Sequence, residues 1–311
     1  MSVNGKSLRE AFGDEMMLLG KENPDIYIVD ADVGKSCKTL DFATKYPGQH
    51  VNVGIAEQAC ADVAAGLATM GKIPFISTYA VFGSMRMVEQ IRQEVCYPRL
   101  NVKIACSHGG LTPANDGASH QCIEDFGIMR TLPNMTVIMG ADYYATRNLL
   151  RKVAAYDGPV YIRFTREAVP FVYDETIDLE IGKAHQIYDG KDIAIIANGD
   201  TVCYAKEAAE ELQRKGHSVR LLDMHTLKPL DEQAVEAAID NIGKIITVED
   251  HNIINGLGSA VSDVVAQKGK GIVRKIGVQD HFGESAPYEH LLANNGISVK
   301  NIVSIAEKLI G

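Results

Sequence analysis

Two rhythms of apolar and polar positions alternate along this chain. Over residues 7–21, Leu8, Phe12, Met16, Leu18 and Leu19 recur near one face at helical spacing, with Ser7 placed to cap the first turn. DIYIVD at 25–30 reads as a short buried strand, and 31–39 as a loop. Strand-like runs return near residues 51, 74, 102, 135 and 160, separated by helix-like segments, of which 142–156 is the clearest. The rhythm breaks over 167–192, where proline and acidic residues read as a connection. A second unit over 193–311 has strands at 193–197, 219–223, 244–248 and 273–277 and helices at 202–214, 231–239, 257–267 and 299–309. The pattern predicts an α/β fold of two domains, 1–166 and 193–311. Each is a mostly parallel sheet flanked by helices, with functional loops at the carboxyl ends of the strands.

Composition narrows the classes. The chain has 311 residues, 46% hydrophobic and 23% charged, with a net charge of −9, the profile of a soluble globular protein. No long Lys/Arg cluster occurs, which argues against a nucleic-acid partner. No run of about 18 apolar residues is present, and MSVNGKSLREAF lacks an apolar signal core, so no membrane segment is expected. Six cysteines form no CxxC pair. Reduced, buried thiols in the cytoplasm and no zinc site are the expectation. Gly256 and Gly258 open a helix, but a third glycine is missing, so a tight, closely packed turn is expected rather than a dinucleotide site.

Candidate chemistry gathers over 51–125. Glu57 leads a helix that is apolar nearly all round from Ala59 to Met70 and is expected to be buried. Burial disfavours a charged carboxylate, while the helix N-terminus favours it. Such a group suits a nitrogen that must be held protonated; an ordinary first-turn acid is the competing reading. His108, Asp116 and His120 follow in one polar loop, and Arg163 and Arg166 end a strand. Taken singly, these are turn residues, surface histidines and a solvated arginine pair.

As a set they say more. GIAEQ, then STYAVFGSMR, then SHGGLTPANDGASHQCIED, and late in the chain FGESAP, together resemble the transketolase family of thiamin diphosphate enzymes. The resemblance covers roughly residues 7–309, its pyrimidine-binding and C-terminal domains. It implies that Glu57 binds N1′ of the cofactor's aminopyrimidine and drives its imino tautomer, and that Tyr79 and Phe82 pack on the pyrimidine face, with Met85 where a third aromatic is common. Asp32 and Val33 align near the thiazolium. His120 matches the active-site histidine near the donor C1 hydroxyl, and Asp116 an aspartate contacting a substrate hydroxyl. Ser36, His108 and Arg166 match the phosphate-binding serine, histidine and arginine; a planar guanidinium can bond two phosphate oxygens.

A GDG motif, which in the family holds the diphosphate and a Mg2+ or Ca2+ ion, is absent. The resemblance therefore implies a partner, an N-terminal transketolase subunit carrying that motif. Also implied are an α2β2 assembly with a β–β contact, sugar-phosphate substrates, and inactivity of this chain alone. Alternatives are the β subunit of a 2-oxo acid dehydrogenase E1 component, a deoxyxylulose-phosphate synthase-like chain, an enzyme for a sulfonated sugar, and a non-catalytic scaffolding homologue. SHQ and FGESAP favour transketolase, and the presence of Glu57 and His120 disfavours the scaffold.

Overall fold

The computed structural model describes residues 4–311. Its first sheet has seven strands in the order Thr226–Lys228, Thr136–Ile138, Val160–Arg163, Lys103–Ser107, Ile73–Tyr79, Ile26–Asp30 and His50–Asn52. All are parallel except Thr226–Lys228, which comes from the second half of the chain and pairs antiparallel with Thr136–Ile138. That short strand covers an otherwise open edge. A second sheet has the order Ile272–Val278, Lys244–Asn252, Ile193–Ala197, Val219–Asp223 and His185–Tyr188, of which only the last is antiparallel. Ile193–Ala197 is apolar and buried at every position, as a central strand covered on both faces must be. Gly5–Ser7 and Ala168–Pro170 form a separate antiparallel pair.

Four of the helices begin where a side chain satisfies a free N–H group. Ser7 and Glu10 form a reciprocal capping box at the start of Leu8–Glu22. Asp142, Asp231 and Ser298 cap Tyr143–Ala155, Glu232–Asn241 and Val299–Ile310. Among the described residues no helix is long and apolar enough to cross a membrane.

Several local expectations change. The loop at 31–39 contains a helical turn, Gly34–Cys37. Short helices Ala80–Met85, Asp125–Thr131 and Tyr288–Asn294 lacked a readable period because each is only about two turns or less. The helix Glu57–Thr69 is not buried all round: Glu57, Cys60, Ala61, Ala64 and Ala65 face the core, but Gln58, Asp62, Gly66 and Thr69 are exposed. Composition suggested full burial because small apolar residues also suit a face that this chain leaves open. At the glycine turn, a Cβ on Gly256 would strike the Glu249 carboxylate, and one on Gly258 would strike Thr247 and Lys275. Leu257 N–H and Gly258 N–H donate to Glu249 at 2.6 and 2.8 Å, so the chain's own carboxylate fills that helix N-terminus.

Arg163 is not a solvated residue. It is 1% exposed and ties the two halves together. Its Nη1 donates to Asp125 Oδ1 at 3.0 Å and its Nη2 to the Asp250 carbonyl at 3.0 Å, while its guanidinium lies 3.9 Å from the Phe126 ring centroid. Tyr161 Oη donates to the other Asp125 oxygen at 2.6 Å. Removing one partner of such a buried pair strands the other charge, at a cost of about 3–5 kcal/mol. Arg163→Met should lose about that much in urea unfolding, and the double variant with Asp125→Asn should lose less than the sum. A loss near that of a surface substitution would show that the pair does not hold the halves together.

Candidate active site

The carboxyl ends of the parallel strands gather the polar residues along one edge. Asp32, Val33 and Ser36 follow the strand Ile26–Asp30; Glu57 follows His50–Asn52; Tyr79 and Phe82 end or follow Ile73–Tyr79. His108, Asp116 and His120 follow Lys103–Ser107, and Arg166 follows Val160–Arg163. Parallel pairing alone brings these sequence-distant residues to one side.

Four rings pack at the centre. Tyr79 and Phe82 stack with centroids 5.7 Å apart, and His108 stacks on Tyr79 at 4.0 Å. His120 lies 5.9 Å from both Tyr79 and Phe82. Its Nδ1 meets Ser119 Oγ at 2.9 Å. Glu57 is 6% exposed and opens its helix without a side-chain cap in front of it. Arg86 Nη1 donates to Glu57 Oε1 at 3.0 Å, and the same guanidinium lies 4.0 Å from the Phe82 centroid. Sequence reasoning missed Arg86, although it ends the quoted run STYAVFGSMR. Met85 beside it is exposed.

A second cluster is basic. Arg166 Nη1 donates to the Pro113 carbonyl at 2.8 Å and lies 3.7 Å from Asp116 Oδ2. Arg9 Nη1 donates to the Ser36 carbonyl at 2.9 Å, and its Nε is buried with no acceptor. Burial and the nearby charge of Arg166 pull the Arg9 guanidinium below its ordinary pKa. Arg9 was not legible beforehand: it reads as one more surface arginine of an amphipathic helix. His108 joins the two clusters. It sits at a left-handed φ of 63° with Nδ1 2.6 Å from Ser107 Oγ. Burial, and then Arg9 and Arg166, push its pKa down to about 3.

Asp32 and Val33 stand one strand away. Asp32 has φ 62° and accepts from Asn52 Nδ2 at 3.0 Å, while Val33 N–H donates to Asp30 Oδ1 at 2.8 Å. Among the described residues neither hydrogen-bonds to the ring cluster.

The second half of the chain shapes the polar loop. Asp250 accepts from Leu111 N–H through both carboxylate oxygens, at 3.1 and 2.9 Å. Gln121 Nε2 donates to the Glu284 carbonyl at 2.8 Å, and Ser285 packs where a side chain on Gly117 would point. The FGESAP segment is thus the wall against which residues 117–121 are set. A cleft of about 1320 Å3 also opens between residues 167–172, the helix Val202–Arg214 and residues 287–289. None of the residues singled out in the sequence lines it.

A neutral His108 has a measurable consequence. Its folded pKa lies below the unfolded value, so its contribution to stability is present above about pH 6.5 and is lost as pH falls toward 3. Its C2–H resonance should stay at the neutral position from pH 8 down to about pH 4, against about 6.5 for a free histidine. A midpoint near 6.5 would mean that water reaches the ring.

Known proteins share this architecture. The model for the transketolase pyrimidine binding domain matches residues 4–172, and that for the transketolase C-terminal domain matches residues 182–302. A Methanocaldococcus jannaschii protein named for a transketolase C-terminal section is 44% identical over 96% of this chain and 94% of its own. The 6-deoxy-6-sulfo-D-fructose transketolase subunit of Clostridium sp. (strain MSTE9) is 36% identical over 97% of this chain and 94% of its own. A solved structure titled as a split gene transketolase, inactive beta4 tetramer, superimposes with a TM-score of 0.90 at 44% identity, covering 98% of each chain. Sequence, topology and the strand-end cluster converge, and the chain belongs to the transketolase family, of which it carries the pyrimidine-binding and C-terminal domains.

Proposed function

We propose that this chain is the C-terminal subunit of a two-chain, thiamin diphosphate-dependent transketolase. With a diphosphate-binding partner subunit, it transfers a two-carbon ketol unit from a ketose phosphate to an aldose phosphate. The observation that carries this reading is the buried Glu57 carboxylate beside the Tyr79–Phe82 stack. These residues fit the aminopyrimidine end of the cofactor. The site already holds a planar nitrogen cation, that of Arg86, between a carboxylate and an aromatic face. When bound, the cofactor supplies the carbon nucleophile that carries the two-carbon unit. The diphosphate and a Mg2+ or Ca2+ ion belong, in this reading, to the partner.

The chain's own groups then have separate tasks. Glu57 holds a proton at the pyrimidine nitrogen, in a position where burial strengthens that interaction. Tyr79 and Phe82 keep the ring dry and flat. His120 has one nitrogen engaged by Ser119, which leaves the other for proton transfer at a sugar hydroxyl. Asp116 is exposed and available to a second hydroxyl. Arg166, Arg9, Ser36 and His108 surround the place for a distal anion. A neutral His108 there can only donate from one ring nitrogen, so the arginines supply the charge.

Phosphate and sulfonate both present a tetrahedral set of anionic oxygens. The likeness to a sulfofructose transketolase subunit gives a sulfonated sugar standing as a second reading. The basic cluster also weighs against a 2-oxo acid dehydrogenase β subunit, whose substrates need no distal anion clamp. For assembly we propose α2β2 with a β–β contact through the exposed side of Glu57–Thr69. A related chain described as an inactive beta4 tetramer supports both self-association and the need for a partner.

Purified alone, with cofactor and magnesium, the chain should show no ketol transfer, and adding an N-terminal subunit with a GDG motif should restore it. Full activity of this chain alone would sink the two-chain reading. In the reconstituted enzyme Glu57→Gln should keep the fold and lose nearly all activity, because an amide cannot hold the protonated nitrogen by charge. Retention of most of the wild-type rate would make Glu57 a structural residue. Arg166→Ala removes a charge-assisted bond of about 1.5–3 kcal/mol. KM for phosphorylated donors should therefore rise roughly 10–150-fold, with little change for hydroxypyruvate. Equal impairment of both donors would place the anion site elsewhere.

A further inference from the structure

The pair formed by Glu57 and Arg86 goes further than the family reading, and rests on it. Arg86 is half-exposed, at the end of the short helix Ala80–Met85, yet its guanidinium is not left to water. It makes two contacts at once. One is the 3.0 Å hydrogen bond to Glu57 Oε1; the other is the 4.0 Å stacking contact with Phe82. A guanidinium is flat, delocalised, cationic and rich in N–H donors. A protonated aminopyrimidine has the same four properties. The carboxylate and the ring face that would hold the cofactor are thus both taken by a side chain of the same shape and charge.

We propose that Arg86 is a resident stand-in for the aminopyrimidine, an internal latch that the cofactor must displace. Without it, the Glu57 carboxylate would sit 6% exposed at the head of its helix with no side-chain partner, since it makes no other side-chain hydrogen bond among the described residues. Arg86 neutralises the carboxylate while the chain is unliganded, and the Phe82 contact keeps the guanidinium flat over the slot. The latch can open because its side chain is 52% exposed and returns to water. An ion pair at this exposure and one cation–π contact are each weak. Cofactor binding at this end is therefore a competition in which Arg86 lowers affinity by about tenfold without closing the site.

Calorimetry on the full chain tests this without any turnover. The probe is the free aminopyrimidine half of the cofactor, 4-amino-5-hydroxymethyl-2-methylpyrimidine. Arg86→Met should bind it about tenfold more tightly than the wild-type chain, and Arg86→Lys by less, since an ammonium keeps the charge but not the flat stack. In the Glu57→Gln background the gain from Arg86→Met should vanish. Equal or weaker binding by Arg86→Met would overturn the latch, because Arg86 and the pyrimidine would then share Glu57. Absence of binding by both wild type and Arg86→Met would overturn it too. The cofactor reading has its own failure: a Glu57→Gln chain that binds the pyrimidine as well as wild type removes that reading and the latch with it.

Discussion

The buried guanidinium of Arg163 is the point on which the candidate site depends. It stands at the end of the strand Val160–Arg163 and reaches Asp125 in its own half and the Asp250 carbonyl in the other. Asp250 in turn accepts from Leu111 N–H, and Tyr288 Oη bridges Asp250 and Asp200. One fixed cation therefore sits among several buried carboxyls. Burial raises the affinity of Asp200 for protons, and burial together with the neighbouring Asp200 carboxyl raises that of Asp250. Burial likewise pushes Glu249 up to about 7. A junction built this way tolerates little displacement, because a shifted partner leaves a desolvated charge unpaired. The polar loop with Asp116 and His120 is anchored to that junction, so its shape is set by both halves of the chain.

This also explains what the sequence could and could not disclose. The large elements were legible because their burial is periodic. The strand 193–197 is apolar at every position, and the helix 202–214 follows a regular stripe. The candidate site was legible where chemistry and local sequence coincide: a lone carboxylate ahead of small apolar residues, and two histidines in a glycine-rich loop. Arg163 was misread because a charged residue at a strand end is usually solvated, and only the fold shows that Asp125 and Asp250 surround it. Arg9 and Arg86 were invisible for a related reason. Each acts through partners far along the chain, Ser36 for Arg9 and Glu57 for Arg86, and spacing holds no trace of such pairs.

The strand Thr226–Lys228 shows the same limit at the level of topology. Three residues cannot reveal an alternation, yet they cross from the second half to cover the first sheet's edge. Lys228 Nζ then donates to the Arg130 carbonyl at 2.9 Å and also to the Leu132 carbonyl. The halves are thus joined through the Arg163 junction, through this edge and through the contact of Gln121 with the Glu284 carbonyl, and the last of these holds the polar loop.

A site assembled along one sheet edge is open on the side away from that sheet. The residues show this in their unequal burial. Glu57 and His108 are nearly covered, whereas Asp32, Asp116, Met85 and Arg86 face outward. Groups that tune a ring or hold a neutral imidazole need a dry setting, because their effect depends on low dielectric. Groups that meet a mobile sugar need access. The chain meets the first requirement through its own core and leaves Asp32, Asp116, Met85 and Arg86 exposed. Arg86 fits between these demands. Its side chain is half exposed, and its guanidinium supplies the partner of a carboxylate that the fold has taken out of water.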